Sequence, residues 1–190
     1  RYGVYTKSPL TGLYSESYSG GKVPEAIDST GFDAIVLTGR SKRPTVLSIQ
    51  PEQVDFLDGA ELWGMETIAA EEAASKFFPN KEGFGKGGAI VIGPAGEKLV
   101  RFAIIANDKW RCAGRTGVGA VMGSKNLKAV VVKGTGSIPV ADLKEAYAKG
   151  KEAYRKVRIK PGFEGWTPEG TAGITNWTNE VGVFPTRNFQ

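Results

Sequence analysis

The sequence of 190 residues has no histidine and one cysteine, Cys112. Without imidazole there is no Ser-His-Asp or Cys-His nucleophile, and the commonest general base and neutral metal ligand are both missing. One thiol can form neither an internal disulfide nor a cysteine metal cage, which fits a reducing, cytoplasmic setting. Arg111 and Arg115 beside it would favour its thiolate, but a lone cysteine without a base partner reads as inert. No run approaches the roughly 20 apolar residues that span a bilayer, and "RYGVYTKSPL" lacks a signal-peptide core. A soluble, non-exported protein is expected. The chain opens on Arg1 and ends just after "FPTRNF", so it reads as a piece of a longer polypeptide.

Acids are missing from one stretch. "RCAGRTGVGAVMGSKNLK", Arg111 to Lys128, carries four glycines, two arginines and two lysines with no counter-charge. Elsewhere composition is ordinary: 41% hydrophobic and 24% charged residues describe one globular core, and a net charge of +5, spread along the chain, argues only weakly for nucleic acid. The basic residues sit in glycine loops without interleaved aromatics, which disfavours an RNA-binding domain.

Strand signals recur at Tyr2 to Lys7, Ala34 to Thr38, Thr45 to Ile49, Val54 to Leu57, Ala89 to Ile92, Val100 to Ala106 and Ala129 to Lys133, most bounded by Gly, Pro, Asp or Asn. With tight turns at "SKRP" and "QPEQ", Ala34 to Leu57 reads as a small antiparallel meander. Helical spacing is expected in "GMETIAAEEAASKFF", over Val118 to Ser124, and in "VADLKEAYAKGKEAYRKVRI", where Gly150 weakens or breaks the helix. Loops are expected at Asn80 to Gly88 and Lys160 to Gly170, the second marking a domain boundary: residues 1–160, then 161–190. A faint echo links "AIVLTG" at Ala34 to "AIVIGPAG" at Ala89.

The glycine-rich stretch is neither a dinucleotide fingerprint nor a P-loop: Gly117, Gly119 and Gly123 give G-x-G-x-x-x-G. Two readings stay open. Glycines ahead of a helix leave backbone N–H groups free for an anion, with Arg111 and Arg115 forking onto phosphate oxygens. Alternatively the glycines let a helix pack closely on a sheet. "YSESYSGGKVPE", Tyr14 to Glu25, is either a second phosphate-facing loop or a polar connection between a strand and a short helix. The acids of "EEAASK" and "DLKEAY" read as solvated helix faces, so no catalytic carboxylate pair is expected.

"GRTGVGAVMGSKNLKAVVVKG", with "IGPAGEKLVRFA" and "RYGVYTKSPLTG…SGG…STGFDAIVLTGR" in the same order, resembles the N-terminal domain of the tungsten-containing aldehyde ferredoxin oxidoreductase family; the end, "GTAGITNWTNEVGVFPTRNFQ", resembles that family's passage into a second, helical domain. The resemblance implies an α+β fold with two mixed β-sheets related by approximate two-fold symmetry and a few helices, in place of the βαβ unit that Val100 to Lys133 suggests. It implies a cofactor-cradling part of an enzyme that oxidises aldehydes to carboxylic acids, with a tungsten or molybdenum bis-pterin (tungstopterin), a magnesium ion joining the pterin phosphates, and an iron-sulfur cluster held outside this segment.

On the same footing, Arg1, Tyr18, Gly20, Arg111, Cys112, Gly114 and Arg115 would contact the cofactor, and the carbonyls at Tyr18 and Cys112 would take the magnesium. The departures are Tyr18 for the usual Asn, Cys112 for Ala and Thr116 for Gly. Carbonyl ligation tolerates the first two changes, whereas Thr116 is costly if its φ is positive. Implied partners are an aldehyde, ferredoxin or a related electron-transfer protein, and the C-terminal domains of the same polypeptide, with a homodimer left open and with no nucleic acid or membrane. The alternative is a stand-alone module binding a pterin or nucleotide phosphate without catalysis.

Overall fold

A computed structural model describes residues 1–78, 85–137 and 139–189. It divides into two compact units, Arg1–Ile138 and Pro139–Gln190. The first is α+β. Strands β1 (Tyr2–Lys7) and β2 (Tyr14–Ser19) form an antiparallel pair. A six-stranded mixed sheet is built from β3 (Thr45–Ile49), β4 (Val54–Asp58), β5 (Lys86–Val91), β6 (Ile105–Asn107), β7 (Arg111–Ala113) and β8 (Leu127–Gly134) in the order β4-β3-β8-β5-β6-β7. Only the β3–β8 pairing is parallel. Four short helices accompany the sheets: α1 (Val23–Asp28), α2 (Thr67–Ala74), α3 (Pro94–Glu97) and α4 (Val118–Ser124).

The large sheet is covered on both faces, which is why β3 and β8 read as nearly unbroken apolar runs. Val130 and Val132 of β8 join Leu47, Ile49, Ala26 of α1 and Val118 and Met122 of α4 in one cluster. Ala129 and Val131 turn to the other, with Val46, Leu62 and the α2 residues Ala70 and Ala74.

Lys128 interrupts this alternation. The β3–β8 register steps from Thr45↔Leu127 to Val46↔Ala129, leaving Lys128 as the extra residue of a bulge. Its Nζ donates to the carbonyl of Met65 at 2.8 Å and pairs with the carboxylate of Glu97, which also accepts from Gly64 N at 2.9 Å. The two charged side chains are 0% and 5% exposed.

The second unit contains α5 (Leu143–Arg158), α6 (Phe163–Glu169) and α7 (Thr175–Glu180). α5 begins at Asp142, whose carboxylate accepts from Glu145 N at 2.8 Å, and carries i,i+4 ion pairs Glu145–Lys149 and Glu152–Lys156, both at 2.7 Å.

Several expectations are corrected. Ala34 to Thr38 is exposed and forms no strand, so the meander reduces to β3–β4 and the "AIV" echo does not join two strands. Of Val100 to Ala106 only Ile105 and Ala106 are strand, because Leu99 takes a φ of +57° and the chain turns at Arg101 and Phe102 before β6 begins. Helix α2 starts at Thr67 and passes into a 3-10 turn, Ser75–Phe77. Gly150 does not break α5, whose cap and ion pairs offset the glycine. Of the loop at 80–88, residues 80–84 lie outside the described residues and Lys86 to Gly88 belong to β5.

Candidate functional site

Strand β2, expected as a loop, has an inverted pattern. Ser15, Ser17 and Ser19 point inward and are buried, while Tyr14, Glu16 and Tyr18 face out. The buried hydroxyls are satisfied: Ser15 Oγ donates to Thr6 O, Ser17 Oγ accepts from Arg115 N at 3.0 Å, and Ser19 Oγ donates to Asn107 Oδ1 at 2.9 Å. Outside, Tyr18 meets Tyr5 edge-on with ring centroids 6.0 Å apart, and Tyr14 and Tyr18 both donate to Glu16 Oε2. The hydrogen bonds to Tyr5 and Glu16 push the Tyr18 hydroxyl above its ordinary range of titration.

Ser19 fastens β2 to β6 and Ser17 fastens it to Arg115, just after β7, the edge strand of the large sheet. β7 pairs with β6 in the register Ile105↔Ala113, Ala106↔Cys112, Asn107↔Arg111. The connecting turn is unusual: Asp108 and Lys109 both take positive φ, +46° and +62°. Their amides point at one group, the carboxylate of Glu71 in α2, at 2.7 and 2.9 Å. Asp108 Oδ2 in turn accepts from Lys22 N at 2.6 Å.

Asn107, fully buried, stands at the centre. Its Oδ1 accepts from Tyr2 Oη at 3.0 Å and from Ser19 Oγ; its Nδ2 donates to Gly20 O and to Asp108 Oδ2, each at 2.9 Å. All four valences of the amide are used. Burial at this junction pushes the Tyr2 hydroxyl up to about 12.

The expected site residues lie at the end of β2, along β7 and the residues that follow it, and ahead of β1. Tyr18, Arg111, Cys112, Gly114 and Arg115 are exposed, as is Arg1 ahead of β1, and Gly20 is half-buried at the end of β2. A side chain on Gly20 would meet nothing, so its backbone is approachable. Ser8 holds the far end: its Oγ accepts from Leu10 N and Thr11 N and donates to Thr116 O. Thr116 has a φ of +67°, the left-handed conformation for which glycine is suited and a β-branched residue is not.

The remaining glycines serve packing. A Cβ on Gly117, Gly119 or Gly123 would collide with the backbone oxygen of Arg101, Ile104 or Gly96, so α4 lies directly on the 94–104 segment. The close-packing alternative therefore accounts for these three, and the anion reading is left with Gly20, Gly114 and the arginines. Asn107 and Asp108 have no signal in the sequence beyond "ND" before an acid-free stretch, and Glu71, expected on a solvated helix face, is instead partly buried and bonded to the Asp108 and Lys109 amides.

Residues 1–134 match the family model for the aldehyde ferredoxin oxidoreductase N-terminal domain. The chain belongs to this family. It is 42% identical over its whole length to the tungsten-containing aldehyde ferredoxin oxidoreductase of Pyrococcus furiosus and 44% identical to that of Thermococcus kodakarensis, spanning 31% of each. It is also 32% identical, over 98% of its length, to the WOR-like subunit of the Pyrococcus furiosus aliphatic sulfonate oxidoreductase. Among solved structures it resembles the active-site complex BamBC of benzoyl-coenzyme A reductase with 1,5-dienoyl-CoA, with a TM-score of 0.73 and 34% identity over 81% of this chain and 23% of that one. The α+β architecture is thus shared with a family of oxidoreductases.

The donor set fits a phosphate-bearing cofactor: three exposed guanidiniums, an open glycine backbone and no carboxylate among the seven expected positions. Among the described residues no three His, Cys, Asp or Glu gather as a metal cage. No helix of the described residues is long and apolar enough to cross a membrane.

Proposed function

We propose that this chain is the cofactor-cradling part of a tungsten or molybdenum bis-pterin oxidoreductase that converts aldehydes to carboxylic acids. The observation that supports the reading is the pair of bonds that tie β2 to the β6–β7 region, from Arg115 N to Ser17 Oγ and from Ser19 Oγ to Asn107 Oδ1, which bring the segment of Tyr18 and Gly20 near that of Arg111 to Arg115. Arg111 and Arg115 would bind the pterin phosphates through paired N–H donors, with Arg1 adding a third cation at the start of β1. The carbonyls of Tyr18 and Cys112 would hold the magnesium that joins those phosphates, since a hard cation takes oxygen and ignores the side chain. Gly20 and Gly114 leave room for the cofactor against the backbone. When bound, the cofactor supplies two-electron chemistry at the metal; the protein supplies position and charge neutralisation.

On this reading the aldehyde pocket, the iron-sulfur ligands and the ferredoxin contact are supplied by further parts of the polypeptide, in keeping with the 31% of the relatives' length that the chain spans. The residues described here are therefore assigned no bond-making role. The test is metal analysis of the full-length protein purified without oxygen. Stoichiometric tungsten or molybdenum, with iron in the amount of a four-iron cluster, is expected. A correctly folded preparation with neither metal overturns the reading.

A further inference from the structure

We propose that Asn107 is the positioning residue that fixes the spacing between the two halves of the cofactor face. This rests on the reading above. Asn107 is in β6 and pairs with Arg111, so its main chain belongs to the half that carries Arg111 and Cys112. Its side chain belongs to the other half: Nδ2 holds the carbonyl of Gly20, and Oδ1 holds the hydroxyls of Ser19 and Tyr2. A single rigid amide thus connects the backbone of β6 to that of Gly20 at the end of β2.

Packing alone gives no reason for an asparagine here. Asn is disfavoured in strands, and a buried amide is costly unless every donor and acceptor is matched, whereas Leu or Val suits a buried strand position. What asparagine supplies is four directed bonds to three separate segments. The adjoining turn is held from behind, where Glu71 ties down the left-handed amides of Asp108 and Lys109 and Asp108 passes the constraint to Lys22. Two phosphates bridged by one cation tolerate little variation in the distance between their binding loops, and residues that hold ligands in place must fix them to about 0.5 Å.

The test uses the full-length protein, purified without oxygen, as wild type, Asn107→Asp and Glu71→Gln. Asn107→Asp keeps the shape and both bonds at Oδ1, but places a carboxylate oxygen against Gly20 O and Asp108. Three quantities are read: the ratio of tungsten or molybdenum to iron, total iron, and hydrogen exchange of peptides covering Ser19 to Lys22. Asn107→Asp should lower the metal-to-iron ratio about tenfold or more, as loss of an outer-shell partner does, and Glu71→Gln by a smaller factor. Iron content should stay at the wild-type level, and the 19–22 peptides should exchange faster while β8 remains protected.

A metal-to-iron ratio within twofold of wild type in Asn107→Asp would overturn the proposal. So would parallel loss of both metals and of β8 protection, which would make Asn107 a residue of general folding. If wild type itself holds neither tungsten nor molybdenum, the functional reading fails first and takes this inference with it. Loaded wild type beside equally loaded Asn107→Asp defeats the positioning role alone.

Discussion

Thr116 shows what one residue can store. Its φ of +67° is held by flanking bonds: Ser8 donates to its carbonyl, and its own hydroxyl turns back to Arg115 O at 2.7 Å. A non-glycine residue in this region costs about 1–3 kcal/mol, while glycine enlarges the unfolded ensemble by about 0.4–1 kcal/mol. The balance predicts that Thr116→Gly stabilises the protein by about 1 kcal/mol, read as a higher denaturant midpoint with an unchanged slope. A lower midpoint would mean that the hydroxyl contributes more than the strain removes. The position was legible in the sequence because the family pattern has glycine there. Asp108 and Lys109 were not, since what fixes their backbone is Glu71, 37 residues distant in the chain from Asp108.

At the level of elements, legibility followed apolar contrast. β1, β3, β4 and α4 were readable because turn residues bound them and apolar residues fill them. β2 was missed because its inward row is serine and its outward row aromatic and acidic, the reverse of the pattern that marks a half-buried strand. β6 and β7 have three residues each, too few to set up any periodicity. Ala34 to Thr38 failed in the opposite sense: it has the composition of a strand, yet composition does not provide a neighbour. The arginines and glycines of the proposed site could be named from the family resemblance, but not the polar junction of Asn107, Ser19 and Tyr2. For the glycines the prediction is a contrast. Gly123→Ala drives a Cβ into the backbone of Gly96, which cannot yield as a flexible side chain would, and should cost about 1–3 kcal/mol or more. Gly150→Ala in α5 meets nothing and should stabilise that helix by about 0.5–1 kcal/mol. Thermal or chemical denaturation of both variants checks the pair; equal effects would refute the packing role assigned to Gly123.

For the molecule as a whole, the Lys128–Glu97 pair joins the central strand to α3 and to the chain at Gly64 and Met65. Removing one charge leaves the other buried and uncompensated, so Lys128→Met should cost about 3–5 kcal/mol, and adding Glu97→Gln should restore much of it. A double variant as unstable as the single one would mean that the bulge geometry, and not the charge balance, is what matters. Strand order has another consequence, for synthesis. β8 sits between β3 and β5 and is the last strand of the sheet to be made, pairing Leu127 with Thr45. Until the ribosome has released it, the β3–β4 hairpin and the β5–β7 segment are separate half-sheets, each with an open apolar edge. Such non-local closure is slow and exposes chains to mispairing, so the nascent polypeptide should depend on chaperone protection through the interval in which β5, β6 and β7 have emerged and β8 has not.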